Sequence, residues 1–211
     1  MEKFDSKQQV FDFIFVMAMR DAVMQKAYNG KKAWLWDLSK DECMYVRNEI
    51  WKFIDDQILQ GKFDHQKKQE EYDKEFLRLA IDICNKINKV ENPKEFTFGN
   101  AQKLINMMCK YFYILVYNDE SLRKHFVCCH CPMDSIMLDI VWRKRVKDRK
   151  DQYGIFGKDF KDSWGNEDFL EENGIKNIPK RYAIFQKAVR DLIADKSGIE
   201  NGIEFDYSEW E

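Results

Sequence analysis

Three prolines and nine glycines are too few to divide a 211-residue chain into many short strands and tight turns. A sandwich or barrel is therefore disfavoured, and the expected fold class is all-α. Hydrophobic residues make up 45% of the chain and aromatics 15%, enough for one large core or two smaller lobes. The apolar pattern predicts helices over about 7–28, 40–60 and 64–90, then 97–117, a helix opening at Pro132, and a last long one over 179–196. In the first, Val10, Phe13, Ile14 and Met17 recur at helical spacing; Ser6-x-x-Gln9 and Ser39-x-x-Glu42 are capping-box patterns. Asn92-Pro93 interrupts the pattern, because proline removes a donor and disfavours helix at the preceding residue. The chain thus reads as a single helical domain, with a boundary near 91–97 if it has two lobes. Segment 151–177 is loop-rich, with one short helix expected near 166–172.

The formal charge is −2, so a nucleic-acid partner would have to be met by a local basic patch. VWRKRVKDRK, residues 141–150, is the densest such stretch, and Arg143, Lys144, Arg145 and Lys147 are its candidate phosphate contacts. A solvated helix end is the equally weighted alternative. No apolar run approaches the roughly 18 residues that span a bilayer, and no secretory signal opens the chain. No membrane partner, a cytoplasmic location and a monomeric state are expected. Six irregularly spaced cysteines read as reduced core thiols, and no metal or other cofactor is expected, since Cys128, Cys129, His130 and Cys131 are too close in sequence to converge on one ion. P-loop, dinucleotide-binding, zinc-protease and hydrolase motifs are absent from the sequence.

The chemistry concentrates between Phe98 and Asp139. Lys103 falls in the second turn of the most apolar helix, where the helix dipole and partial burial both disfavour the ammonium, and a neutral amine is the nucleophile of imine chemistry. Lys110 lies two turns on, along the same face. Asp134, near the start of the next helix, is a carboxylate that could stabilise a cationic sugar carbon. Read from spacing alone, the plainer alternative of a snorkelling lysine and a first-turn helix carboxylate is preferred. Trp34 and Trp36 in KKAWLWDL are either a lid on the core or a surface for stacking a flat ligand.

Lys103, Lys110 and a Pro-Met-Asp ending thirty-one positions after Lys103 resemble the helix-hairpin-helix DNA glycosylase superfamily, above all the archaeal 8-oxoguanine DNA glycosylase type. The ending RYAIFQKAVRDLIADKSGIENGIEFDYSEW is similar to that family's terminal helix with an Asp four residues before a Trp, and AMRDAVMQKAYNGKKAWLWDL to its Trp-rich N-terminal segment. The hairpin FTFGN departs from the Leu-Pro-Gly-x-Gly form of commoner members, with Gly99 left to serve the turn.

The resemblance implies a two-lobed helical bundle with a helix-hairpin-helix-like element and a central cleft. It implies a glycosylase/AP lyase excising an oxidised purine of the 8-oxoguanine type from duplex DNA. Lys103 would be the Schiff-base nucleophile, Asp134 the stabilising carboxylate, and Asp206, Trp210, Trp34 and Gln25 base-pocket residues. Lys110 and the 141–150 cations would hold DNA phosphates. The alternative is a non-catalytic helical protein that keeps this fold and binds nucleic acid or inhibits a protein partner.

Overall fold

The computed structural model describes residues 6–23, 40–88, 96–146, 170–172, 175–177 and 179–209. The fold is all-α, with one short antiparallel hairpin of β1 (Leu170–Glu172) and β2 (Ile175–Asn177). The helix expected near 166–172 is thus replaced by strand at its described end, where Leu170 pairs with Asn177. Residues 166–169 and Asn92-Pro93 lie outside the described residues.

Helix α1 (Ser6–Val23) packs along α4 (Phe98–Leu115). Its buried face is Phe11, Ile14, Phe15, Ala18 and Met19, while Val10 is exposed and Phe13 is 66% exposed. The expected stripe was rotated because FIFVMAM is apolar around most of the helix, so periodicity alone cannot choose a face. Helix α2 (Lys40–Lys52) continues into a wider π turn, Phe53–Leu59, and buries Val46, Ile50, Ile54 and Ile58. Gly61 ends it at φ 72°, the left-handed conformation that glycine adopts without strain.

Helix α3 (Gln69–Ile87) buries the anticipated stripe of Phe76, Leu79, Ala80, Ile83 and Ile87. The Asn88 carboxamide then bridges to α4: Phe96 N–H donates to its Oδ1 at 2.7 Å and its Nδ2 donates to Phe96 O at 3.1 Å. Helix α4 is the centre of the molecule, buried almost continuously from Phe98 to Cys109. Its aliphatic and aromatic side chains join those of α1, α2, α3, α6 and α7 in one hydrophobic core cluster.

Beyond α4 the chain makes the short helix α5 (Glu120–Arg123) and a 3-10 turn, Lys124–Phe126. Residues 129–134 carry no helix, and α6 (Ser135–Val141) follows, running into a π turn at Trp142–Val146. Helices α7 (Lys180–Ala194) and α8 (Gly202–Ser208) complete the described fold. Pro132 is therefore not the first helical residue. The helix starts three residues later, because Asp134 is its N-cap: the carboxylate accepts from Ile136 and Met137 N–H, each at 3.0 Å.

Candidate active site

The N-cap geometry divides the Asp134 carboxylate between two tasks. Oδ1 takes the two backbone N–H groups, and Oδ2 lies 3.8 Å from the Lys103 ammonium. The Lys103 side chain is 7% exposed and the Asp134 side chain 19%, so the open approach to the pair is from the carboxylate side. A cation and a carboxylate that far apart attract without forming a short hydrogen bond.

Two turns along α4, Lys110 is held differently. Its Nζ sits 2.5 Å from Asp206 Oδ2 and 4.6 Å from the centre of the Tyr207 ring, and the two charged side chains are 12% and 4% exposed. Burial, and then the Asp206 charge, push the Tyr207 hydroxyl up to about 12. Asp206 reaches Lys110 because α8 docks end-on against residues 129–131. Asn201 caps α8 by accepting from Ile203 and Glu204 N–H, and Gly202 N–H donates to Cys129 O at 3.1 Å. A Cβ on Gly202 would overlap Cys131 N and lie 2.6 Å from His130 C and 2.9 Å from Cys129 O, so only glycine permits this approach.

The segment leading to Asp134 has no partner strand among the described residues. Its backbone groups are satisfied instead by side-chain amides from the helices around it. Gln186 of α7 accepts from Cys131 N–H at 3.1 Å and donates to Cys131 O at 2.7 Å. Gln102 of α4 does the same for Met133, accepting at 3.2 Å and donating at 2.9 Å. Both glutamines are buried, and neither was singled out from the sequence. The available signal was a glutamine on an otherwise apolar helix face.

From Gln102 a chain of hydrogen bonds runs through the core. Asn106 Nδ2 donates to Gln102 Oε1 at 3.2 Å and to the Tyr182 hydroxyl at 2.9 Å. With its oxygen accepting from Asn106, Tyr182 donates its proton to His130 Nδ1 at 2.9 Å, which leaves His130 Nε2–H to donate to Asp73 Oδ1 at 2.8 Å. Burial pushes the imidazole below its ordinary 6.5 despite the neighbouring carboxylate, so His130 is neutral near pH 7. Burial opposes ionisation of Asp73, but hydrogen bonds from His130 and Gln69 outweigh it and hold the carboxyl below its usual range. His130 therefore belongs to this network and caps no helix.

Of the other sequence-derived residues, Arg143 pairs with Asp139 at 2.9 Å and is 66% exposed. Lys144 pairs with Glu209, whose other oxygen meets Lys196 at 2.7 Å; these two cations outweigh burial and keep that carboxyl low. Lys110, expected at a DNA phosphate, is engaged by Asp206. Gln25, Trp34, Lys147 and Trp210, and the side chain of Arg145, lie outside the described residues.

The six cysteines are free thiols, buried except for the half-buried Cys43. Burial pushes Cys128 up to about 11 and Cys129 and Cys131 well above the ordinary thiol value, so all three stay protonated. Among the described residues no group of three His, Cys, Asp or Glu side chains could hold a metal ion. No helix among them is long and apolar enough to cross a membrane. A separate cavity of about 350 Å³ opens between the start of α3, α7 and the start of α8, lined by Gln69, His130, Gln186, Arg190, Glu200 and Asn201 among others.

No family model, curated protein or solved structure matches this chain.

Proposed function

We propose that the chain is a DNA glycosylase with AP-lyase chemistry, acting on an oxidised purine of the 8-oxoguanine type in duplex DNA. The Lys103 amine, having given up its proton, attacks C1′ of the damaged nucleotide; the bond to the base breaks and the base leaves with the bonding pair. Asp134 stabilises the positive charge that develops on the sugar carbon. Opening of the sugar ring gives an imine between Lys103 and C1′, and loss of a C2′ proton from it expels the 3′ phosphate and cuts the strand. The target base is flipped out of the stack to reach the amine. In this reading Trp210 is a base-pocket residue, Asp206 is held by Lys110 and leaves that role, and Arg143, Lys144, Arg145 and Lys147 contact phosphates.

The observation that supports this reading most directly is the meeting of Lys103 and Asp134 at 3.8 Å in a nearly buried position. Both are candidate residues on sequence grounds, thirty-one positions apart. Borohydride reduction during incubation with an 8-oxoguanine duplex traps the imine as a covalent adduct. The adduct is expected with the wild type and not with Lys103→Gln, and equal yields from the two would refute the assignment.

The second reading is a non-catalytic DNA-binding protein with the same body. It is favoured by the fact that both lysines of α4 are paired with carboxylates, which a purely structural role also explains. On that reading the duplex is bound, no adduct forms, and Lys103→Gln changes nothing but stability.

A further inference from the structure

We propose that Gln102 is a positioning residue, whose carboxamide fixes the backbone of Met133 and thereby the separation of the Lys103 amine from the Asp134 carboxylate. Its catalytic meaning rests on the glycosylase reading above, while its structural content rests on geometry alone. Gln102 immediately precedes Lys103, and Met133 immediately precedes Asp134. One amide therefore ties together the two places in the chain from which the reactive side chains spring.

The tie is fully specified. Gln102 is completely buried; besides its two bonds to Met133 it donates to Gly99 O at 3.0 Å and accepts from Asn106 Nδ2 at 3.2 Å. Every donor and acceptor of the carboxamide is used, so its orientation has one solution. A two-bond contact between an amide and a peptide unit fixes translation as well as rotation, as a neighbouring strand would. Asn106 keeps its place in this chain although its own buried Oδ1 has no hydrogen-bond partner.

Gln186 supplies an internal control. It makes the same two bonds to the same extended segment, two residues earlier at Cys131, but it projects from α7 and not from the helix that carries Lys103. A merely structural role predicts that losing either glutamine has the same consequences. Positioning predicts that only Gln102 governs the pair.

The test is a double-mutant cycle of Lys103→Met and Asp134→Asn on urea unfolding, run in three backgrounds: wild type, Gln102→Leu and Gln186→Leu. Asn retains the helix cap, so the coupling isolates the interaction between the two side chains. Coupling is expected in the wild type and in Gln186→Leu, and its loss is expected in Gln102→Leu. Retention in Gln102→Leu, equal loss in both glutamine variants, or no coupling in the wild type overturns the proposal.

Gln102→Glu, which accepts from Met133 N–H but cannot donate to Met133 O, serves if the leucine variant folds poorly; weakened coupling is expected and full coupling overturns. On a duplex with an abasic site, Gln102→Leu should trap the imine about 10²-fold more slowly with duplex affinity unchanged, the effect of a misplaced nucleophile. A wild type that forms no adduct refutes the glycosylase reading, and the coupling measurement still decides the clamp.

Discussion

Two lysines lie two turns apart on α4, and the aspartates opposite them hold them in different ways. Lys110 and Asp206 are in direct contact at 2.5 Å, with both side chains nearly buried and an aromatic face over the ammonium. Lys103 and Asp134 are 3.8 Å apart, and the carboxylate is divided between the amine and the backbone of α6. The tight pair fastens α8 to α4 and leaves the ammonium little to gain from moving. Among the described residues the Lys103 amine meets its carboxylate only at 3.8 Å, with no short bond to break, which suits the proposed role of forming one to a substrate. One helix thus carries a tightly and a loosely held lysine, and the proposed chemistry falls to the second.

The largest effect should come from breaking the tight pair. Lys110→Met leaves the buried Asp206 carboxylate without its cation and should cost about 3–5 kcal/mol in urea unfolding. Lys103→Met should cost about 1 kcal/mol or less, because Asp134 keeps its two backbone donors and reaches solvent. Similar losses at both sites would erase the distinction between them. Gly202→Ala sharpens it, since the new Cβ forces α8 away from residues 129–131 and should cost about 1–3 kcal/mol or more. That variant should disturb the amide resonances of Asp206 and its neighbours far more than that of Asp134, as an NMR comparison would reveal.

The buried histidine gives a pH signature of its own. Its folded-state pKa lies below the unfolded value of about 6.5, so the unfolded chain takes up a proton that the folded chain does not. The contribution is fully present above pH 6.5 and is lost as pH falls from there through the folded value. The slope is at most about 1.4 kcal/mol per pH unit, and it should vanish in His130→Asn, as thermal melts between pH 7.5 and 5 would show. The smallest effect is expected for Asp134→Asn. It keeps the helix cap and loses the ion pair, so its stability should stay within about 1 kcal/mol of wild type, whereas Asp134→Ala should lose about 1 kcal/mol more.

What could be read from the sequence followed local physics. The all-α class follows from the scarcity of glycine and proline, and the stripe of α3 and the central place of α4 from apolar spacing, because those helices are apolar on one side or throughout. Helix α1 shows the limit: with apolar residues around most of its circumference, Phe13 reads as core and stands in solvent. Lys103 and Asp134 were legible as a pair from their places at two helix starts and from the resemblance, whereas the pairing of Lys110 with Asp206 was not, since Lys110 was expected at a phosphate and Asp206 at the base; both aspartates reach α4 from distant parts of the chain.

The start of α6 at Ser135, not at Pro132, has a tertiary reason. Proline at 132 is a good first helical residue in isolation, but residues 129–133 are held out of helix by bonds to Gln186, Gln102 and Gly202, partners that no local pattern reveals. The replacement of helix by strand at Leu170–Glu172 is likewise set by pairing with Ile175–Asn177.

Borohydride trapping on an 8-oxoguanine duplex with three proteins tests the difference between the lysines most directly. A covalent adduct from wild type, none from Lys103→Gln and a reduced yield from Lys110→Gln is the predicted result. An adduct lost with Lys110 and kept without Lys103 would contradict the assignment of the two roles, and no adduct from any of the three would contradict the proposed chemistry.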